Sequence, residues 1–270
     1  MKSKIAFTVI LFSMALVMGC ESTPKKSKTT VVSQEQPKGM VLIPEGTFMM
    51  GSPESEPQRR SDEIHHKVIL TEPFAMGRSP VTVDEFRQFV DESGYHWEKS
   101  DDQLGDRHPV VGVSHDDAVA YVEWLIKETG KDYALPTEAQ WEKAARGVDG
   151  RIYPWGDDYE KGKSNMGIDG ARSLVEVGMY PADISPYKVY DLGGNVMEWT
   201  MDWYQAYPGS TYKNLRYGKT LKVLRGNAFQ KSGHYFLKAF RYAFSRTEAD
   251  PNDYFVNVGF RCVKQLITPK

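Results

Sequence analysis

Asp191-Leu192-Gly193-Gly194-Asn195-Val196-Met197-Glu198-Trp199 is the most informative stretch of this chain. Two adjacent glycines followed by asparagine let the backbone turn through conformations that are closed to residues with a Cβ atom. Asp191, Asn195 and Glu198 bring carboxylate and amide oxygens into this turn, and Ca²⁺ prefers such ligands. The stretch therefore predicts a calcium-binding turn. The alternative is a plain tight turn whose Asp and Asn side chains cap their own backbone.

The composition is that of an ordinary globular protein. Of 270 residues, 40% are hydrophobic and 26% are charged, and the formal net charge is -2. Such a chain can bury a sizeable core, and the absence of excess basic charge argues against nucleic acid as a partner. Six Trp, 15 Tyr and 12 Phe stand beside 23 Gly and 15 Pro, which favours many short elements separated by turns. We expect one compact domain with few helices.

The N-terminus predicts export and lipid anchoring. Residues 1–4 are basic, residues 5–17 form an apolar run that is short for a membrane span, and the run ends at Cys20. This pattern resembles a bacterial lipoprotein signal, in which residues 1–19 are cleaved and the sulfur of Cys20 carries the lipid. The alternative is a cleavable secretory signal with an incidental cysteine. Either leader takes the domain out of the cytoplasm.

A flexible tether is expected to follow the lipid anchor. Residues 20–39 are mostly Ser, Thr, Lys, Gln and Pro, which cannot form a packed core. The folded domain is then expected to occupy residues 40–266. We expect the protein in the bacterial cell envelope, and Glu21 after the lipidated cysteine agrees with sorting to the outer membrane or cell surface.

The cysteines restrict the chemistry that this chain can perform. Cys20 and Cys262 are the two cysteines of the sequence. If Cys20 is acylated, Cys262 is the one remaining thiol, so neither an intramolecular disulfide nor a two-thiolate metal site can form in one chain. The histidines have no zinc-protease spacing, and the sequence has no phosphate loop or assignable Ser-His-Asp arrangement. No catalytic residue is assigned.

Capping patterns predict three helices. The predicted N-caps are Thr82, Ser114 and Thr137, with Glu85 and Gln140 at the reciprocal positions of the first and third capping boxes. Gly147 is expected to end the third helix. In the second helix, Val122, Leu125 and Ile126 form the apolar stripe that is expected to face the core.

Strands and a pair of glutamates complete the local predictions. Residues 40–51 predict a β-hairpin with a Pro-Glu-Gly turn, and residues 66–70 predict another strand. Glu138 and Glu142 share one face of the third helix. They form either a general acid–base pair or, together with Arg146, part of a structural ion-pair network.

Six motifs occur in order along most of the domain. They are His108–Ser114, Leu135–Gly147, Tyr153–Gly156, Gly193–Trp199, Leu224–Gly226 and Gly259–Cys262. Their order resembles that of the formylglycine-generating enzyme (sulfatase-modifying factor) family, and the match spans about residues 40–263. Six ordered motifs make the resemblance specific. It implies an α+β fold: a single formylglycine-generating-enzyme-like domain, rich in irregular structure and related to the C-type lectin fold in its later part.

The resemblance also implies structural calcium. In the family, one Ca²⁺ is held by the turn that matches Asp191, Gly193, Asn195 and Glu198. A second Ca²⁺ is held by a loop that Asn165, Met166 and Asp169 resemble. Both ions are expected to hold loops that lack regular hydrogen bonding.

The family's copper site is not matched. Its enzymes oxidise a substrate cysteine to formylglycine with O₂ and Cu(I), which two cysteines bind shortly after an Arg-Gly-Gly-Ser motif. Here that motif reads Arg225-Gly226-Asn227-Ala228-Phe229, and residues 230–241 contain no cysteine. Cys262 matches a family cysteine outside the pair, and a lone buried thiol usually serves packing. Because Cu(I) needs two soft ligands, no copper is expected.

The segment after this motif is rich in aromatic residues and arginine, as binding surfaces are. In the family it borders the substrate groove. The candidate ligand-binding residues are Tyr235, Arg241, Tyr242, Arg246, Asn252 and Tyr254. The alternative is that these side chains belong to core strands.

Three functions remain open at this stage. The first is a membrane-anchored, extracytoplasmic lipoprotein with a calcium-stabilised domain that binds or regulates an envelope protein or surface ligand, without copper oxidase activity. The second is a formylglycine-generating or related protein-modifying oxidase that acts on an envelope substrate. The third is a structural component of a secretion, motility or surface assembly, or a diversified lectin-fold binding protein.

Overall fold

The computed structural model describes residues 39–98, 104–229 and 241–266. The predicted leader, Cys20 and Tyr235 lie outside these residues. The described residues contain ten β-strands, three α-helices and one 3-10 helix. This mixture, with few helices and several sheets, confirms the predicted α+β class.

All three helices begin at the predicted caps. The helices are α1 (Val83–Ser93), α2 (His115–Thr129) and α3 (Glu138–Arg146). Thr82, Ser114 and Thr137 each accept a hydrogen bond from the backbone N–H three residues later, and each capping box is complete. Gly147 ends α3 with φ 70° and donates its N–H to the carbonyl of Lys143. Among the described residues, no helix is long and apolar enough to cross a membrane.

The hairpin prediction for residues 40–51 was wrong, although both strands form. The first four strands are β1 (Met40–Ile43), β2 (Gly46–Met50), β3 (His66–Leu70) and β4 (Phe74–Gly77). β1 pairs with β4, and β2 pairs with β3. The connection between β1 and β2 is held by α3, because the Nζ of Lys143 donates to the carbonyls of Pro44 at 2.6 Å and Gly46 at 3.2 Å. The two strands therefore lead into different sheets.

Two four-stranded sheets form the framework of the domain. The remaining strands are β5 (Tyr133–Ala134), β6 (Met197–Trp203), β7 (Lys222–Arg225), β8 (Arg246–Ala249), β9 (Val258–Phe260) and β10 (Val263–Gln265). The first sheet has the order β1-β4-β10-β5 and the second has the order β8-β7-β6-β9. β6 pairs antiparallel with β7 and parallel with β9. Because β6 begins at Met197, the Gly-Gly-Asn turn leads directly into the centre of the second sheet.

Aromatic side chains join α1 and α2 to the second sheet. Phe86 stacks with Tyr121 at 5.9 Å between ring centroids, and Tyr121 meets Phe260 of β9 edge-on at 5.4 Å. Tyr121 and Val122 are buried, whereas Ile126 is 38% exposed. The predicted stripe on α2 was therefore wrong for Ile126. The large ring of Tyr121 takes the central position in the core instead.

Candidate functional site

A cavity of about 680 Å³ lies beside the end of the Arg225–Phe229 motif. Most of the side chains that line it are apolar: Leu104, Val111, Leu174, Phe229, Phe255 and Val256. Tyr254, Glu98 and Arg172 add polar groups. A mainly apolar cavity of this size with a few polar groups is typical of a small-ligand or side-chain binding site.

The Asp191–Trp199 turn positions two walls of this cavity through one residue, Asn195. The Asn195 Oδ1 atom accepts the backbone N–H of Val175 at 3.1 Å, and its Nδ2 group donates to the Val175 carbonyl at 3.0 Å. The backbone carbonyl of Asn195 accepts the N–H of Phe229 at 3.3 Å. Leu174 and Phe229 lie on different walls, and both walls are thus held by hydrogen bonds to Asn195.

Two further contacts fix the segment that carries Arg172 and Leu174. The Asn165 Nδ2 group donates to the carbonyl of Ser173 at 3.1 Å and also to the Oδ1 atom of Asn195 at 2.9 Å. Asp191 accepts the backbone N–H of Gly178 at 2.8 Å. This wall is therefore held at both ends by buried polar side chains.

Backbone hydrogen bonds connect the chain segments that form the opposite wall. Gly112 donates its N–H to the carbonyl of Phe255 at 2.9 Å, which places Val111 beside the segment from Tyr254 to Val256. Gly167 donates its N–H to the carbonyl of Ala228 at 2.9 Å. The cavity is consequently built from segments that are distant in sequence.

The two glycines of the turn are required by close packing. A Cβ atom on Gly193 would lie 2.6 Å from the ring of Trp155, and one on Gly194 would lie 2.8 Å from the carbonyl oxygen of Asn165. The positive φ angles fall instead on Asp191, at 58°, and Asn195, at 72°. Asp and Asn tolerate this left-handed conformation better than most residues.

Asp183 and Asp191 place two buried carboxylates behind the turn. Asp183 accepts the N–H of Gly193 at 2.9 Å and the hydroxyl of Ser164 at 2.5 Å. Burial and the charge of Asp191 raise the pKa of Asp183 to about 7, and burial raises the pKa of Asp191 to about 6. Near neutral pH the pair thus brings negative charge into the interior, which a cation would offset.

The predicted ligands of the first calcium ion differ in how well they fit an ion. Asp191 fits, because Asp183 lies beside it. Glu198 does not fit in this arrangement: Arg261 donates to both of its oxygens at 2.6 Å, and the Trp141 Nε1 group adds a third bond at 2.8 Å. The Asn195 Oδ1 atom faces two N–H donors, and Gly193 is tied to Asp183. Calcium at this turn remains a prediction.

The predicted ligands of the second calcium ion lie around the 3-10 helix Gly167–Asp169. The carboxylate of Asp169 accepts the Tyr159 hydroxyl and the backbone N–H of Gly162. The carbonyl of Met166 accepts the N–H of Asp169 at 3.0 Å. The side-chain amide of Asn165 donates to Ser173 and to Asn195, and it thereby connects Ser173 to the Asp191–Trp199 turn. Within residues 39–98, 104–229 and 241–266, no three His, Cys, Asp or Glu side chains form a cluster that could hold a metal ion.

The predicted ligand-binding residues are dispersed by the fold. Tyr254 lines the cavity and is 40% exposed. Arg241 lies over the ring of Tyr159, 4.2 Å from its centroid, and 5.4 Å from that of Tyr242. Asn252 donates to Asp250 within an exposed turn. Tyr235 is not among the described residues.

Arg246 belongs to a buried ionic network at α3. It donates to Glu138 at 2.8 Å, and Glu138 also accepts from Arg225 at 2.9 Å. Glu142 accepts from Arg225 at 2.8 Å and pairs with Arg146 on its own helix. This arrangement favours the ion-pair interpretation of Glu138 and Glu142 over general acid–base chemistry, since their oxygens are bound by arginines.

Cys262 is a buried free thiol, 7% exposed, packed in the aromatic core with Tyr121 and Phe260. Burial raises its pKa, so the neutral thiol is favoured. It does not line the cavity.

Several cavity residues were not selected by sequence reasoning. Arg172, Leu174, Val111 and Val256 carry no local motif, because their segments meet only in the tertiary structure. Phe229 did have a usable signal, since it is the last residue of the Arg225–Phe229 motif and precedes the segment that borders the groove in the family.

Comparison with known proteins finds relatives that are named as formylglycine-generating enzymes and relatives that are named as inactive forms. The model of the sulfatase-modifying factor enzyme 1-like domain matches residues 26–266. Inactive C-alpha-formylglycine-generating enzyme 2 of Mus musculus is 29% identical over 291 residues, covering 87% of this chain and 88% of that protein. Formylglycine-generating enzyme of Mus musculus is 29% identical over 289 residues, covering 84% of this chain and 74% of that protein.

A solved structure agrees with the fold. The structure of PvdO from Pseudomonas aeruginosa superposes with a TM-score of 0.71 at 30% identity, covering 84% of this chain and 94% of that chain. The resemblance inferred from six motifs is thereby confirmed along nearly the whole domain. Since the family model, the relatives and the fold agree over the same residues, this chain belongs to the sulfatase-modifying factor enzyme 1-like family, which includes the formylglycine-generating enzymes.

Proposed function

We propose that this protein is a lipid-anchored binding or regulatory protein of the bacterial cell envelope, and that the cavity beside Phe229 is its ligand site. The observation that carries the proposal is this apolar cavity, which Phe229 lines, in a chain whose residues 230–241 contain no cysteine. The domain thus keeps a place to bind a ligand but lacks the soft ligands for Cu(I).

The argument against copper rests on the number and position of thiols. Cys20 is assigned to the lipid, and Cys262 is buried in the core away from the cavity. A single buried thiol with a raised pKa is a poor ligand for Cu(I). The relative that is named as an inactive formylglycine-generating enzyme supports a role for this domain without that chemistry.

Calcium is part of the proposal as a structural ion at Asp191. The neighbouring carboxylate of Asp183 supports it, because the pair brings negative charge into a buried place. An ion that binds only the folded state raises stability by mass action. We expect added CaCl₂ to raise the unfolding temperature of the full-length protein, with a smaller rise in Asp191→Asn. An equal rise in both proteins would argue against this site.

The binding role is tested with two matched surface variants. Val256 lines the cavity and is 62% exposed, whereas Val148 is 66% exposed and does not line it. We expect an envelope component to be retained on immobilised wild type and on Val148→Asp but lost on Val256→Asp. Retention on all three proteins would show that binding does not use the cavity.

The oxidase alternative is tested on the same preparation. Formylglycine-generating enzymes among the relatives keep this alternative open. Tag-free protein is incubated with Cu(I), O₂ and a cysteine peptide of the sulfatase type, and aldehyde formation is measured. We expect none. Stoichiometric copper that supports aldehyde formation would overturn the proposal.

A further inference from the structure

The cavity is lined by an arginine that forms no ion pair with any described residue. Arg172 lines the cavity, its side chain is exposed, and it forms no ion pair or hydrogen bond with any described residue. The other charged lining residue, Glu98, lies 3.4 Å from the imidazole of His96. The cavity therefore presents one free guanidinium beside an apolar interior.

The guanidinium is attached to a part of the chain that is held in place. The carbonyl of the next residue, Ser173, is bound by Asn165, and Val175 is bound at both its N–H and its carbonyl by Asn195. Because the backbone on both sides of Leu174 is held, binding of an anion has to order the arginine side chain but not the loop that carries it. It also binds a carboxylate through two parallel N–H donors.

The interior beside Arg172 suits a large apolar group. Phe229 is 8% exposed, and it lines the cavity together with Leu174 and Phe255. The cavity volume of about 680 Å³ exceeds that of one aromatic side chain. Burial of a side chain of that size favours binding because it removes apolar surface from water.

We propose that the cavity recognises an apolar side chain that carries a carboxylate close by, as at the C-terminal residue of a peptide or beside an aspartate. The apolar group enters among Leu174, Phe229 and Phe255, and the carboxylate pairs with Arg172. This inference rests on the proposed binding function and names the chemistry of its ligand.

The test uses two probes that differ only in charge. N-acetyl-L-tryptophan carries a carboxylate, and N-acetyl-L-tryptophanamide does not. Equilibrium dialysis against the detergent-solubilised full-length protein, with a detergent blank, measures both affinities. We expect the acid to bind roughly tenfold more tightly, the size expected for one charge-assisted hydrogen-bonded pair. N-acetyl-tryptophyl-aspartyl-amide then distinguishes a terminal carboxylate from a side-chain carboxylate.

Two arginine variants assign the preference to one residue. Arg172→Gln is expected to abolish the preference for the acid while the amide binds as before. Arg78→Gln, an exposed arginine outside the cavity with no described ion pair, is expected to keep it. Equal binding of acid and amide to wild type overturns the inference, as does a preference that survives in Arg172→Gln. Neither result bears on the envelope-binding test with Val256→Asp, so the two proposals fail separately.

Discussion

At the residue scale, Asn195 connects the motif to the cavity. Its side chain bonds to both backbone groups of Val175 and accepts from Asn165. It is 1% exposed, so a shorter side chain would leave buried donors and acceptors without partners. Its left-handed backbone, with φ 72°, also disfavours alanine.

Asn195→Ala is therefore expected to lower the free energy of unfolding by roughly 2–4 kcal/mol. Urea unfolding of the solubilised full-length protein measures this loss. Asn214→Ala is the control, since Asn214 lies in a loop outside the cavity and its main contact is with the N–H of Arg216; we expect a loss below about 1 kcal/mol there. Equal losses in both variants would contradict the role assigned to Asn195.

Glu63 is a second residue with a measurable consequence. It is fully buried, one oxygen accepts the N–H of Arg60 at 3.0 Å, and the other has no hydrogen-bond partner among the described residues. Burial raises its pKa to about 8 from an ordinary value of 4.5. The folded state therefore holds a proton that the unfolded state releases.

The stability that this proton supplies is complete below about pH 4.5 and is lost as the pH rises towards 8. The loss is at most about 1.4 kcal/mol for each pH unit. In Glu63→Gln the group cannot ionise, and the amide oxygen still accepts from Arg60. We expect the difference in unfolding free energy, variant minus wild type, to grow in favour of the variant between pH 5 and pH 8. A difference that does not change with pH would refute the raised pKa.

At the element scale, α3 is held by buried charges in addition to apolar packing, since its Trp141, Ala144 and Ala145 belong to the hydrophobic core. Glu142 is fully buried and binds Arg146, Arg225 and the N–H of Gly51. These partners belong to α3, to β7 and to the end of β2. Removing one charge from such a network leaves the others uncompensated in a medium of low polarity.

Glu142→Gln is expected to destabilise the protein by about 3–5 kcal/mol. Glu92→Gln on α1 removes an exposed carboxylate whose partner in the described part of the chain is the side chain of Gln88, and it should cost below about 0.5 kcal/mol. The midpoint of urea unfolding measures both effects. If the two variants lost similar stability, the buried network would not be what holds α3.

At the scale of the whole molecule, the lipid anchor that the sequence predicts at Cys20 can be tested directly. Cys20→Ser removes the sulfur that is the predicted site of lipid attachment, so we expect the protein to leave the membrane fraction. Cys262→Ser keeps that sulfur, and the protein should stay with the membrane. Sedimentation of cell extracts followed by immunodetection measures the distribution. Membrane retention of Cys20→Ser would exclude this anchor.

Residues that are close together in sequence were sufficient to predict where the helices begin, but not which strands pair with each other. Thr82, Ser114 and Thr137 begin their helices as predicted, because a cap is satisfied within four residues. The partner of β1 was mispredicted, since β4 lies some thirty residues further along the chain. Lys143, on α3, holds the connection that separates β1 from β2.

The amino-acid sequence by itself determined the family, the fold class and the number of cysteines. The reason is that motif order, helix caps and cysteine positions can be identified without knowing which segments meet in the folded chain. Only the tertiary structure decided where the candidate ligand-binding residues lie: Arg246 in a buried ionic network, Tyr254 at a cavity, and the unselected Arg172 beside it. The reason is that burial and charge compensation depend on segments that are far apart in sequence, and those segments meet only when the chain is folded.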